Sequence, residues 1–289
     1  MKDKVALVLE GGGARGAYTA GALAWLTDHP EVKFDYHVGI SSGAVYLCAY
    51  LLGDKNTPYM IAVKYGASKD NVGFEAFKRE GHYVAYKHLF EDYLIGREHF
   101  DIRPLIENKD IQMEVGVYDL GQAKTVWYKN TELDPGCVIL RGTCALPVAS
   151  AVVEYEGKRF LDGGITKMIP IERALEVGCN KALVITTKPE NYVRKPSSPI
   201  VKLMMKHLYK DCPQAAKDYG VRHMNYYKQM NIIYQMVNRN NALLIRPTQT
   251  LEVNRWGGDE ASLQRLFDLG YQDMEASKEK IMAFTAKKG

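Results

Sequence analysis

The sequence has no apolar stretch able to cross a bilayer. Its longest uninterrupted run, Ala44 to Leu52, has nine residues, against the roughly 20 that a spanning helix needs. A secretory leader is not expected either, because the apolar segment Val5 to Leu9 runs directly into three glycines. Cysteine is sparse: five thiols, at Cys48, Cys137, Cys144, Cys179 and Cys212, form no C-x-x-C pair and have no histidine at ligand spacing. Neither a disulfide framework nor a zinc site is therefore indicated. The expected setting is cytoplasmic, with no metal and no cofactor. A strong charge of one sign is also missing, since 38 basic and 34 acidic residues leave a net +4, too little to demand nucleic acid as a partner. There is no internal repeat and no low-complexity tract.

What is present is an ordinary globular composition, 289 residues of which 46% are hydrophobic and 25% charged, enough for one large domain or two modest ones. The charge is unevenly placed. Between Lys188 and Lys228 nine Lys/Arg stand against three Asp/Glu, so one face of the C-terminal part is expected to be basic.

The chain opens as a strand (4–9), a glycine turn (11–16) and a helix from Ala17 to about Asp28. A second strand, 36–40, breaks at Ser41 into an apolar helix reaching Leu52. The segment from Thr57 to Phe100 is rich in aromatics and charge and reads as helical. Strands at 111–118 and 124–128 suit a hairpin around Asp119-Leu120-Gly121, and a helix is expected to open at Asp134-Pro135, with proline in its first turn. Short strands at 151–155 and 158–161 precede a helix at 171–177 and an apolar strand at 182–186 of the kind buried on both faces. Past Pro189, Pro196 and Pro199 the pattern is mainly helical (200–210, 214–238 and the C-terminus), with one strand at 243–246. Strands alternating with helices imply an α/β sheet covered on both sides. The expected organisation is an α/β domain over 1–190 and a mainly helical extension over 191–289.

Three features carry chemistry. Glu10-Gly11-Gly12-Gly13-Ala14-Arg15-Gly16 lies between a strand and a helix, where bare amides favour a phosphate or a developing oxyanion. The same letters fit a dinucleotide fingerprint. However, the strand at 36–40 follows Asp35 at once, which leaves no room for the crossover that fold requires. The second feature, Gly39-Ile40-Ser41-Ser42-Gly43, has the form G-x-S-x-G between an apolar strand and an apolar helix. In that setting small neighbours permit a sharp turn that holds a serine hydroxyl clear of the sheet, and the helix dipole favours its alkoxide. Ser41 is the spaced serine, and Ser42 is the lesser candidate. Only His207 and His223 follow in the chain order of a classical triad, and both lie in the basic helical tail. The third feature supplies another base: Phe160-Leu161-Asp162-Gly163-Gly164 ends a strand with a carboxylate, which accepts a serine proton directly once desolvation has raised its basicity.

Together these features resemble the patatin-like phospholipases, a family of Ser-Asp dyad acyl hydrolases. The matching residues are the Gly11 to Gly16 loop, Gly39-Ile40-Ser41-Ser42-Gly43 and Asp162-Gly163-Gly164, with Pro147 and Pro170 where members often carry proline. Ile245-Arg246-Pro247 and Leu266 to Tyr271 further resemble the C-terminal extension of a bacterial branch. The resemblance implies a three-layer α/β/α sheet and a lipid or ester substrate. It also implies Ser41 as nucleophile, Asp162 as base, and the Gly11, Gly12 and Gly13 amides with Arg15 as oxyanion binders. One departure is Ser42, where the family more often has alanine. A catalytically weak lipid- or anion-binding protein on the same fold is the alternative, and a dinucleotide-binding enzyme a more distant one.

Ile200, Val201, Met204, Met205 and Leu208 fall at helical spacing opposite Lys202, Lys206 and Lys210. That pattern fits either a surface helix packed on the core or peripheral contact with an anionic membrane. The aromatic segment between Thr57 and Phe100 is expected to cover the acyl pocket.

Overall fold

In the computed structural model, which describes residues 3–250 and 252–286, β1 (Val5–Leu9) lies inside an eight-stranded sheet. The other strands are β2 (Tyr36–Ile40), β3 (Met113–Asp119), β4 (Lys124–Lys129), β5 (Val153–Tyr155), β6 (Lys158–Asp162), β7 (Lys181–Ile185) and β8 (Ala242–Ile245). Their order is β5-β6-β3-β2-β1-β7-β8, with β4 on β3. The five strands β3, β2, β1, β7 and β8 run parallel. The middle strand β1, VALVL, is apolar throughout because both its faces are covered. Leu7 and Leu9 of β1 and Leu183 and Ile185 of β7 point into one core layer, while Ala6, Val8, Ala182 and Val184 point into the other. This is the expected three-layer α/β/α arrangement.

The first layer holds α1 (Ala17–Asp28) and α2 (Ser42–Leu51). The helix Ile171–Glu176 and the long helix Arg222–Asn238 pack on the opposite face. The C-terminal region is mainly helical, and it is also built into the sheet: β8 pairs with β7 in register from Ala182–Ala242 to Ile185–Ile245. Its helix Glu260–Ala276 lies against α1 so closely that a Cβ on Gly270 would stand 2.1 Å from the Tyr18 carbonyl oxygen. The Tyr18 hydroxyl donates to Asp273 at 2.9 Å, and Trp25 donates to Glu275 at 2.7 Å.

Two helix boundaries differ from expectation. The helix expected to open at Asp134-Pro135 begins at Val138, because the Asp134 carboxylate accepts the Val138 and Ile139 amides at 2.8 and 2.9 Å and Cys137 turns left-handed with φ 55°. The helix expected over 214–238 breaks at Val221 into Pro213–Gly220 and Arg222–Asn238. The aromatic segment folds as the helical stretches 56–65, 74–80 and 86–97, parts of which are wide π-type turns of the kind common beside functional sites.

Candidate active site

The two ends of the site meet through β3. One edge of β3 is taken by β4, so β2 and β6 share the other edge end to end. β2 stops at Ile40 beside Gly116, and the antiparallel β6 stops at Asp162 beside Val117. Strands running head to head on consecutive positions bring Ser41, the next residue of the first, up to Asp162, the last of the second. Both side chains are buried, and the Ser41 side chain is near enough to the Asp162 carboxylate and the Cys144 thiol to favour the charged form of each.

Ser41 adopts φ 55° and ψ −135°, an unfavourable backbone for a residue with a side chain, of the sort concentrated at functional turns. It precedes the first turn of α2. The tight turn needs Gly43, where a Cβ would lie 2.7 Å from the Glu10 carbonyl oxygen; Gly39 has the α2 backbone equally close, at 2.8 Å from Ala44 Cα. The Ser41 amide donates to Thr143 Oγ1 at 2.9 Å, and that hydroxyl donates to the Gly116 carbonyl at 2.5 Å.

Asp162 is held from its own loop, the Gly164 amide donating to Oδ1 at 2.7 Å, while the Gly163 carbonyl accepts from Thr125 at 3.2 Å. Burial raises its pKa above the ordinary carboxylate value, against the pull of Arg222, the Gly164 amide, Ser41 and Arg255. The long helix of the extension grips the same loop. Arg222 Nε donates to the Gly164 carbonyl at 2.6 Å, and Gln229 bonds both Thr166 (2.9 Å) and the Ile169 amide (3.1 Å).

The glycine loop differs from expectation in its hydrogen bonds. The Gly11 amide, expected to face an oxyanion, donates instead to the Met168 carbonyl at 3.2 Å, and the Gly12 amide donates to Ser42 Oγ at 3.1 Å. Gly13 is the expected amide that has no acceptor among the described residues. Arg15 lines the cavity, but its Nε donates to the Val253 carbonyl at 3.3 Å. Below the loop the buried Glu10 carboxylate accepts the Thr187 amide at 2.7 Å and pairs with Lys188.

The cavity has two arms that share Gly13, Ser41, Leu146 and Arg255. One, of about 830 Å³, is apolar, with Ile61, Tyr65, Tyr86, Leu89, Phe90 and Leu94 of the aromatic segment in its wall. The other, of about 590 Å³, is polar and holds Asp162 and the glycine loop. Motif reading missed Thr143, Glu10, Lys188, Arg194, Arg222 and Arg255. Glu10 heads the glycine motif but carried no role there, the basic balance of 188–228 hinted at Lys188, Arg194 and Arg222, and Thr143 and Arg255 belong to no local pattern.

The motif-bearing part of this α/β sheet matches a family model. Residues 7–175 match the model for "Patatin-like phospholipase", and the chain belongs to that family. Residues 212–286 match a second model, described as a domain of unknown function (DUF6363). Among curated proteins, the uncharacterized protein YjjU of Escherichia coli is 25% identical over 244 residues, covering 73% of this chain and 64% of that protein. The chain thus spans less than two thirds of that relative's length. A crystal structure of VipD from Legionella pneumophila aligns with 99% of this chain and 67% of its own, at 13% identity and a TM-score of 0.45. No helix among the described residues is long and apolar enough to cross a membrane.

Proposed function

We propose that the protein is a serine acyl hydrolase that cleaves carboxylic esters of lipids through an acyl-enzyme, with Ser41 as nucleophile and Asp162 as base. The observation that supports this most directly is the head-to-head meeting of β2 and β6, with a desolvated carboxylate beside a serine on a strained turn. Ser41 Oγ attacks the ester carbonyl carbon as its proton passes to Asp162. The tetrahedral oxyanion faces Gly13 and the start of α2, whose amides and dipole stabilise it. Collapse expels the alcohol, which takes the proton from Asp162. Water then gives a proton to Asp162, attacks the acyl-serine and restores the enzyme. The apolar arm takes the acyl chain.

A dinucleotide is disfavoured because two of the loop amides it would need are already donors within the protein. We also read the helix Pro199–Leu208 as a contact for an anionic membrane. Val201 and Met205 turn inward, whereas Ile200, Leu203, Met204 and Leu208 are exposed beside Lys206 and Lys210. Five buried, unpaired thiols suit the reducing cytoplasm. In this reading residues 1–190 carry the chemistry, and the extension braces the Asp162 loop and walls the cavity.

A fluorophosphonate probe tests the assignment. Labelling at Ser41, lost in Ser41→Ala and weakened in Asp162→Asn, supports the hydrolase. Lipid binding without any labelling sinks it in favour of a binding protein.

A further inference from the structure

Among the described residues, five cationic side chains, Arg15, Lys188, Arg194, Arg222 and Arg255, line the polar arm, and Asp162 is the only carboxylate there. Lys188 is paired with Glu10 behind the wall. Among the described residues no carboxylate lies within ion-pairing distance of any of the four arginines. They are held instead by neutral groups: Arg222 by the Gly164 carbonyl, Arg15 by the Val253 carbonyl and the Tyr192 ring, Arg194 over Tyr226 and Arg255 over Trp256.

This crowding opposes charge. Burial, together with Arg194 and Arg255, pushes the Arg222 guanidinium down to about 10. Burial lowers Lys188 to about 8 against the pull of Glu10, with Arg194 and Arg15 adding to the fall. Cations gathered only for stability would be paired with carboxylates or turned to solvent. These face one another across an open volume next to the proposed nucleophile, and an entering anion would relieve their repulsion.

We propose that the polar arm receives a dianionic phosphate group on the substrate, so that the protein prefers lipid esters whose head group ends in an unsubstituted phosphate. The proposal rests on the hydrolase reading and names the substrate class of that same site. Guanidinium forks match phosphate oxygens in pairs. With the ester carbonyl at Ser41 and the acyl chain in the apolar arm, the phosphate end of the molecule falls among Arg194, Arg222 and Arg255. Among the described residues a choline or ethanolamine cap would find no counter-charge there except Asp162. The aromatic faces that could receive such a cation are already covered, Tyr192 by Arg15 and Lys188 and Tyr226 by Arg194.

The test compares kcat/KM of the full chain on a monoacyl lysophosphatidic acid and on the lysophosphatidylcholine of the same acyl chain, both below micelle formation. Uncharged p-nitrophenyl butyrate serves as reference. The expected preference for the phosphate monoester is at least about ten-fold, the scale of one charge-assisted hydrogen bond. Arg194→Gln and Arg255→Gln, checked for folding by circular dichroism, should each remove most of it. Inorganic phosphate should compete with lysophosphatidic acid. Equal rates on the two lipids overturn the proposal, as does inhibition by inorganic phosphate without lipid preference, which would mark a site for free phosphate. If the probe fails to label Ser41, it is the hydrolase reading that falls. Binding of the two lipids to the intact protein then decides the anion site, with tighter lysophosphatidic acid supporting it and equal affinity overturning it.

Discussion

Thr143 fastens Ser41 to the third strand: its hydroxyl accepts the Ser41 amide at 2.9 Å and donates to the Gly116 carbonyl at 2.5 Å. A single side chain therefore satisfies two buried backbone groups at the point where β2 becomes α2, and it fixes the turn against the strand that also carries β6. Thr143→Val keeps the volume and removes both bonds, leaving a buried donor and a buried acceptor unmet. A loss of about 2 kcal/mol is expected in urea unfolding, with a drop in kcat/KM on p-nitrophenyl butyrate as the turn loosens. Thr143→Ser should recover most of both. Unchanged stability and activity in the valine variant would contradict this role.

Ser42 occupies a donor that the mechanism could use, since its Oγ accepts the Gly12 amide. Ser42→Ala releases that amide to the oxyanion without the cost of first breaking a neutral hydrogen bond, worth about 0.5–1.5 kcal/mol. An increase in kcat/KM of between about two-fold and ten-fold is expected. A decrease would mean that Ser42 acts as more than an internal acceptor for the loop.

The raised pKa of Asp162 has opposite consequences for activity and stability. As a base it must be ionised, so kcat/KM should fall on the acid side with an apparent pKa above the ordinary carboxylate value of 3.8. For stability, a folded pKa above the unfolded one means that the protonated form suits the fold better. The contribution of this group is then greatest below the unfolded pKa and is lost as pH rises through the folded value. Asp162→Asn should accordingly raise the urea midpoint at neutral pH, with the gain shrinking as pH drops into the carboxylate range, while activity is lost at every pH. A variant less stable than wild type at neutral pH would show that the longer-range attraction of Arg222 and Arg255 for the carboxylate outweighs burial.

The alternation of strands and helices and the two short motifs were legible because each depends on neighbours in sequence: a strand of five apolar residues, a glycine beside a sharp turn, a carboxylate at a strand end. The hydrogen-bond partners were not. Whether the Gly11 amide stays free depends on the Met168 carbonyl, more than 150 positions away in the chain, and the tie between Thr143 and Ser41 follows from strand register. The break at Val221 has no Gly or Pro of its own beyond Gly220, so the apolar spacing of 214–238 read as one helix. The strand near 243 was visible, but not that it pairs with β7. The basic balance of 188–228 pointed to a basic face of the C-terminal part, but not to Arg194 and Arg222 lining the cavity with Arg255.

The cavity around Ser41 is finished by Arg255 and Trp256, which arrive through a segment anchored by Glu260–Ala276 against α1. Its contacts therefore join the first fifty residues to the last forty, a topology of high contact order that closes late in folding. A newly made chain can form its serine turn long before the pocket has walls, so hydrolytic competence should emerge with the final folding phase.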